Sequence, residues 1–206
     1  MNTALCPSIF TFLEKLKHNN DREWFAANRL EFEQAKQLVQ NFMDQLGEEL
    51  LKVDTIEKGK MYRIYRDTRF SLDKTPYKDH FGLTYKRIQP HNRGSFYVNL
   101  EKGNTFIGAG FWGPNKEDLY TIRKAIEMED DLLEILSAPQ LVNTYGELYG
   151  EALKTAPKGF DKEHPRVQLL RYKQFTLVKN YSDTEMLAPD FITKIVKDYE
   201  VLGPFF

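Results

Sequence analysis

SFYVNLEKGNTFIGAGFW, residues 95–112, reads as two short strands joined by a tight connection. From Ser95 to Leu100 the apolar Phe96, Val98 and Leu100 alternate with Tyr97 and Asn99, the period of two that lays one face of a strand on a core. Glu101-Lys102-Gly103-Asn104 carries the turn chemistry of a hairpin loop. The second strand, Thr105 to Trp112, contains Gly108-Ala109-Gly110. Side chains missing there point to a bulge or to the close approach of a neighbour.

Outward from this hairpin the pattern changes to helices. On the N-terminal side Ser8 is placed to cap a helix with the apolar face Ile9, Phe12, Leu13 and Leu16. His18-Asn19-Asn20 stops it, and Asp21 caps a long segment to about Lys52 with a break available at Ala27-Asn28-Arg29. Gly82 to Ile88 is a further strand. On the C-terminal side Asn115 caps a helix buried through Leu119, Ile122, Ala125 and Ile126, and short helices follow at Asp131–Leu136 and Gln140–Tyr145. Gln168 to Tyr181 is read as a returning strand, Ser182 and Glu185 as a capping box, and Asp190 to Leu202 as a last helix. The expected fold is α+β: a central, mainly antiparallel sheet of about four to six strands flanked by helices, with an N-terminal helical segment and C-terminal helices. The 206 residues are expected to form a single domain, 1–206, with a helical segment at 1–55, a basic segment and strands at 60–112, and helices with one returning strand at 115–206.

Composition narrows the function. The net charge of −1 argues against a general nucleic-acid binder. Cys6 is the only cysteine, which excludes an internal disulfide and fits a reducing compartment. The stretch MNTALCPSIFTFL has no cation ahead of its apolar residues and is not expected to act as a signal peptide. No stretch approaches the ~20 apolar residues of a membrane span. The expectation is a cytoplasmic protein with no membrane contact.

The charge is nevertheless unevenly placed. Nine basic residues against three aspartates give the window from Lys60 to Arg93 a charge of +6, leaving −7 for the rest. Within it MYRIYRDTRFSLDKTPYKDH, residues 61–80, sets Arg63, Arg66, Arg69, Lys74 and Lys78 among Tyr62, Tyr65, Phe70 and Tyr77. Arg offers a planar fork that takes a carboxylate or phosphate through two parallel hydrogen bonds. Asp67 and Asp73 are able to fill those forks themselves, as a network stapling a loop to the sheet. Five cations against these two carboxylates still leave charge for a ligand anion. Both readings stand on the sequence alone.

Arg66-Asp67-Thr68-Arg69-Phe70-Ser71 followed by Asp73-Lys74-Thr75-Pro76-Tyr77-Lys78 resembles the signature of the uncharacterised family known as domain of unknown function 2461. The likeness extends to Trp24-Phe25 with Asn28-Arg29, to Phe106–Trp112, to Pro157–Asp161 with His164-Pro165, and to Leu169–Lys173, and covers nearly the whole chain. The resemblance implies a single-domain, soluble, mostly bacterial protein. It brings no reaction, cofactor or catalytic residue with it.

Other chemistry is sparse. His18, His80, His91 and His164 are scattered without His-x-x-x-His or Cys-x-x-Cys spacing, so neither a metal site nor a cofactor is expected. There is no phosphate loop, dinucleotide fingerprint or nucleophile elbow, and Cys6 near an end is a poor nucleophile. Placed on a strand, Arg171 and Lys173 share a face and extend the anion pocket if that strand adjoins the basic segment. His164, in the Pro-bounded loop before it, either moves protons there or merely bonds loop backbone.

Three functions compete. The first is binding of a small phosphate- or carboxylate-bearing ligand by Arg63, Arg66, Arg69, Lys74 and Lys78, with Tyr77 at the rim and Arg171 and Lys173 added. The second is catalysis in the same pocket, with Asp67 or Asp73 as base and His164 as acid. The third is an interaction module that docks an acidic protein, or less readily nucleic acid, through the basic segment.

Overall fold

The computed structural model describes residues 5–88 and 93–206. The first residues of the N-terminal reading, 1–4, and His91 lie outside them. The hairpin at the centre extends on both sides into one antiparallel meander of five strands, β1 (Lys60–Met61), β2 (Phe81–Lys86), β3 (Ser95–Leu100), β4 (Thr105–Phe111) and β5 (Phe175–Tyr181), in sheet order β1-β2-β3-β4-β5. Register puts Tyr85 opposite Phe96, Phe96 opposite Ala109, and Ala109 opposite Leu177. These residues share one face because directly paired residues point the same way. Gly110, at φ 127°, has a reason for its missing side chain: a Cβ there would stand 2.2 Å from the Phe175 carbonyl oxygen of β5. The register runs on without a bulge, so the glycine serves close approach of a neighbour.

Helices cover that face. α1 (Pro7–His18), α2 (Arg22–Ala27) and α3 (Arg29–Leu50) precede the sheet. The expected break falls at Asn28, whose amide donates to the Trp24 carbonyl at 2.9 Å. Asp21 caps α2 as expected, accepting from the Trp24 N–H at 2.8 Å. Ser8 does not cap α1. The helix starts two residues earlier, at Pro7 with Cys6 as N-cap, because a proline loses nothing by lacking an N–H in the first turn. After β4 come α4 (Lys116–Met128), α5 (Asp131–Ser137), α6 (Pro139–Tyr145) and α7 (Val167–Leu170); after β5 come α8 (Asp183–Met186) and α9 (Phe191–Glu200). The capping box at Ser182 and Glu185 is present.

One buried apolar cluster runs from Leu5 to Phe205. Phenols tie its layers together. Tyr85 donates to the Met43 carbonyl of α3 at 2.7 Å, and Tyr199 of α9 to the Tyr97 carbonyl of β3 at 2.6 Å. Each such bond contributes about 1 kcal/mol net and costs more if its partner is left bare in the core. Burial raises the pKa of both phenols.

The returning strand is shorter than its sequence suggests. Val167–Leu170 is a helical turn, and β5 begins only at Phe175. Gln168, Leu169 and Leu170 are good helix formers, and the β-branched residues start at Thr176. Arg171 is therefore the C-cap of α7 rather than a strand residue, and the shared strand face proposed for Arg171 and Lys173 does not exist.

Candidate functional site

The basic segment leaves the sheet after β1 and returns to start β2, at the edge opposite β5. Its stem is a miniature ladder: Tyr65 pairs Tyr77, Lys78 N–H donates to the Ile64 carbonyl at 2.8 Å, and Arg66 N–H donates to the Pro76 carbonyl at 2.9 Å. Asn20 clamps this stem to the helices. Its amide nitrogen donates to the Tyr77 carbonyl, and its amide oxygen accepts from the Tyr77 N–H, both at 3.0 Å. The sequence reading places Tyr77 at the rim of a pocket. It is only 5 % exposed, and its ring stacks on Phe25 with centroids 4.0 Å apart, so it anchors the stem.

Beyond the stem the loop 67–75 closes on itself. Arg69 holds Asp67 in a bidentate fork, Nε to Oδ1 at 2.9 Å and Nη2 to Oδ2 at 2.7 Å. Arg66 pairs with Asp73 Oδ2 and with the Thr75 hydroxyl. Thr75 fills Asp73 Oδ1 through its N–H and its hydroxyl, at 2.9 and 2.8 Å. Lys74 donates to the Thr68 carbonyl at 2.9 Å. Stabilised in this way, Asp67 titrates below the usual carboxylate range, chiefly through the Arg69 hydrogen bonds, and Asp73 is brought down to about 2, chiefly by Arg66. The two aspartates thus occupy the arginine forks, as one of the two readings of the sequence held. Every oxygen of the two carboxylates accepts at least one hydrogen bond within the loop.

Against the stem lies a polar cleft of about 590 Å³, within the size range of small-ligand sites. It is lined by Lys17 and Asn20 at the end of α1, by Arg66, Asp67, Asp73 and Thr75 from the loop, and by Tyr77 to His80. Lys17 reaches Asp79 at 3.5 Å and Glu101 at 4.0 Å. His80 Nδ1 stands 3.5 Å from Asp79 Oδ1. Burial alone raises the Asp79 pKa, but a backbone N–H, His80 and Lys17 outweigh it and the carboxyl sits below its ordinary value.

Lys78 is different from every other cation of the cleft. It is half-buried and lies over the Tyr62 ring, with Nζ 5.6 Å from the centroid. No carboxylate among the described residues pairs with it. Burial, and then the like charge of Arg63, push its pKa down.

The remaining residues singled out in the sequence lie elsewhere. Arg63 and Arg69 are exposed, and Lys74 is turned onto backbone. None of these three lines the cleft. Arg171 donates to the Leu153 carbonyl at 2.5 Å and Lys173 to Glu151 at 2.7 Å, both beside the opposite sheet edge. His164 bonds loop backbone, as the plainer reading held: Nδ1 accepts from the Arg166 N–H at 3.1 Å and Nε2 donates to the Glu127 carbonyl at 3.2 Å. Conversely Lys17, Asn20 and His80 line the cleft without having stood out in the sequence. The polar run at 17–20 is the one hint of Lys17 and Asn20, and His80 closes the basic segment.

Among the described residues no group of His, Cys, Asp and Glu is placed to hold a metal ion. None of their helices is long and apolar enough to cross a membrane. The chain matches the family described as conserved hypothetical protein (DUF2461) over residues 8–206, and it belongs to that family. No curated protein and no solved structure matches it.

Proposed function

We propose that this DUF2461 protein binds a small phosphate- or carboxylate-bearing molecule in the cleft between the end of α1 and the basic loop. One observation carries the reading: Lys78, a half-buried ammonium lining the cleft, has no carboxylate of its own. An unpaired cation held away from bulk water costs stability, and an arriving anion relieves that cost. Arg66 and Lys17 stand in the same cleft, and the Asn20 amide fixes the wall. Arg69 and Lys74 brace the loop and do not contact the ligand. Thermal-shift titration with propyl phosphate and with butyrate, at ionic strength matched by sodium chloride, tests the reading. Binding with a Kd of about 0.1 mM is expected, weakening roughly tenfold or more in Lys78→Met. If neither anion stabilises the protein beyond matched salt, the reading is wrong.

A second reading rests on a separate observation. Phe70 and Leu72, at the tip of the same loop, are 96 % and 101 % exposed. Exposed Arg63 and Arg69 belong to the same basic segment. Apolar side chains set among cations suit an acidic protein partner with an apolar centre. Acidic peptides containing leucine and phenylalanine should bind the wild type and lose binding in a Phe70→Ser, Leu72→Ser variant. Unaltered peptide binding in that variant rules this reading out.

A further inference from the structure

The cleft is not a purely cationic basin. Lys17, Arg66 and Lys78 share it with Asp67, Asp73 and Asp79. A bare anion placed there gains from three cations but is opposed by three carboxylates in a space of about 590 Å³. The carboxylates are not equivalent. Both oxygens of Asp67 are taken by the Arg69 fork, and both of Asp73 by Arg66 and Thr75. Asp79 meets a backbone N–H, and its two side-chain contacts are long, Lys17 Nζ at 3.5 Å and His80 Nδ1 at 3.5 Å, beyond the usual reach of an N–H···O bond. Neither oxygen is held by a short bond from a charged side chain. It follows Lys78 directly in the chain, yet the two do not pair with each other. Two neighbouring residues therefore present opposite charges to one cleft, each with capacity to spare.

We propose that the ligand of this cleft is zwitterionic, an acid bearing an ammonium group, with its anionic end on Lys78 and Arg66 and its ammonium on Asp79. The inference rests on the anion-binding reading and adds the second recognition element. An ammonium supplies donors for Asp79, which a simple anion leaves unfilled, and turns the repulsion of that carboxylate into attraction. Lys17 then shifts its weight towards Glu101, its other partner at 4.0 Å.

The test compares matched pairs that differ only in the amine: aminopropyl phosphate against propyl phosphate, and gamma-aminobutyrate against butyrate, by calorimetric titration on the wild-type protein. The amines are expected to bind about fivefold tighter, the upper end for a partly exposed ion pair. In Asp79→Asn that preference should vanish while the plain anions bind as well as before or better. If the plain anions bind and the amines bind no tighter, the zwitterion inference is overturned and the anion reading survives. If neither member of a pair binds, both are overturned. The wild-type comparison decides the matter even if the Asp79 variant does not fold.

Discussion

Two regions of this molecule are rich in arginine, and they use it in opposite ways. Around α7 the guanidinium groups are helix caps. Arg166 donates to the Ile126 carbonyl at 2.6 Å and the Glu127 carbonyl at 2.9 Å, at the C-terminal end of α4, and also pairs with Asp130. Arg123 donates to the carbonyls of Leu170 and Tyr172 at 2.8 and 2.9 Å, beyond the end of α7. These oxygens have no helical partner, and a cation suits the negative end of the helix dipole. In the basic loop the guanidinium groups meet carboxylates on a solvent-facing turn, and one ammonium, Lys78, has no carboxylate. The first region is saturated and the second is not. Charge count alone does not separate a structural cluster from a candidate site; the identity of the acceptors does.

The contrast is easiest to break at its structural end. Arg166→Met should lower stability by about 3 kcal/mol, because it strips carbonyls at a part-buried helix end of charge-assisted bonds. Arg69→Ala, which breaks an exposed pair, should leave stability nearly unchanged. Chemical denaturation of the two variants reads both values, and equal losses would erase the distinction. Next in size, Lys78→Met should leave stability unchanged or raise it by up to about 1 kcal/mol, since no carboxylate partner is lost, an ammonium without one is removed, and the methionine side chain still packs on the Tyr62 ring. A loss comparable to that of Arg166→Met would place Lys78 among the structural cations. The smallest effect concerns pH. Asp73 has a lower pKa folded, about 2, than unfolded, so the folded loop binds fewer protons in this range. The contribution of its contacts with Arg66 and Thr75 is complete above the unfolded carboxyl value, near pH 4, and is lost as pH falls through about 2. Amide NMR signals of Thr75 and Arg66 should hold steady down to about pH 4 and move below it. Movement already about half complete at pH 4, the ordinary aspartate value, would mean the pair is not formed.

The sequence made the hairpin legible because alternation and turn chemistry are local signals. The break at Asn28, the Asp21 cap and the Ser182 capping box were legible for the same reason. The basic segment stood out as the specialised part, and it does border the cleft. What stayed hidden was long-range. Asn20 and Tyr77 are 57 residues apart, and nothing in either neighbourhood signals that one clamps the other. Lys17 reads as an ordinary polar-face lysine at the end of α1. Arg171 and Lys173 were drawn into the pocket by an aromatic and β-branched pattern that starts only downstream of them, while helix-forming residues and the Arg123 cap hold α7 in a turn. The fate of Asp67 and Asp73 is undecidable from the sequence, because the same five cations support a network or a site.

The most direct measurement is the titration of the Lys78 ammonium itself, followed by NMR on lysine-labelled protein with and without propyl phosphate. The account predicts a pKa below that of an ordinary lysine in the free protein, rising when the phosphate binds and supplies the missing negative charge. A Lys78 that titrates at the ordinary value and ignores the phosphate would contradict it.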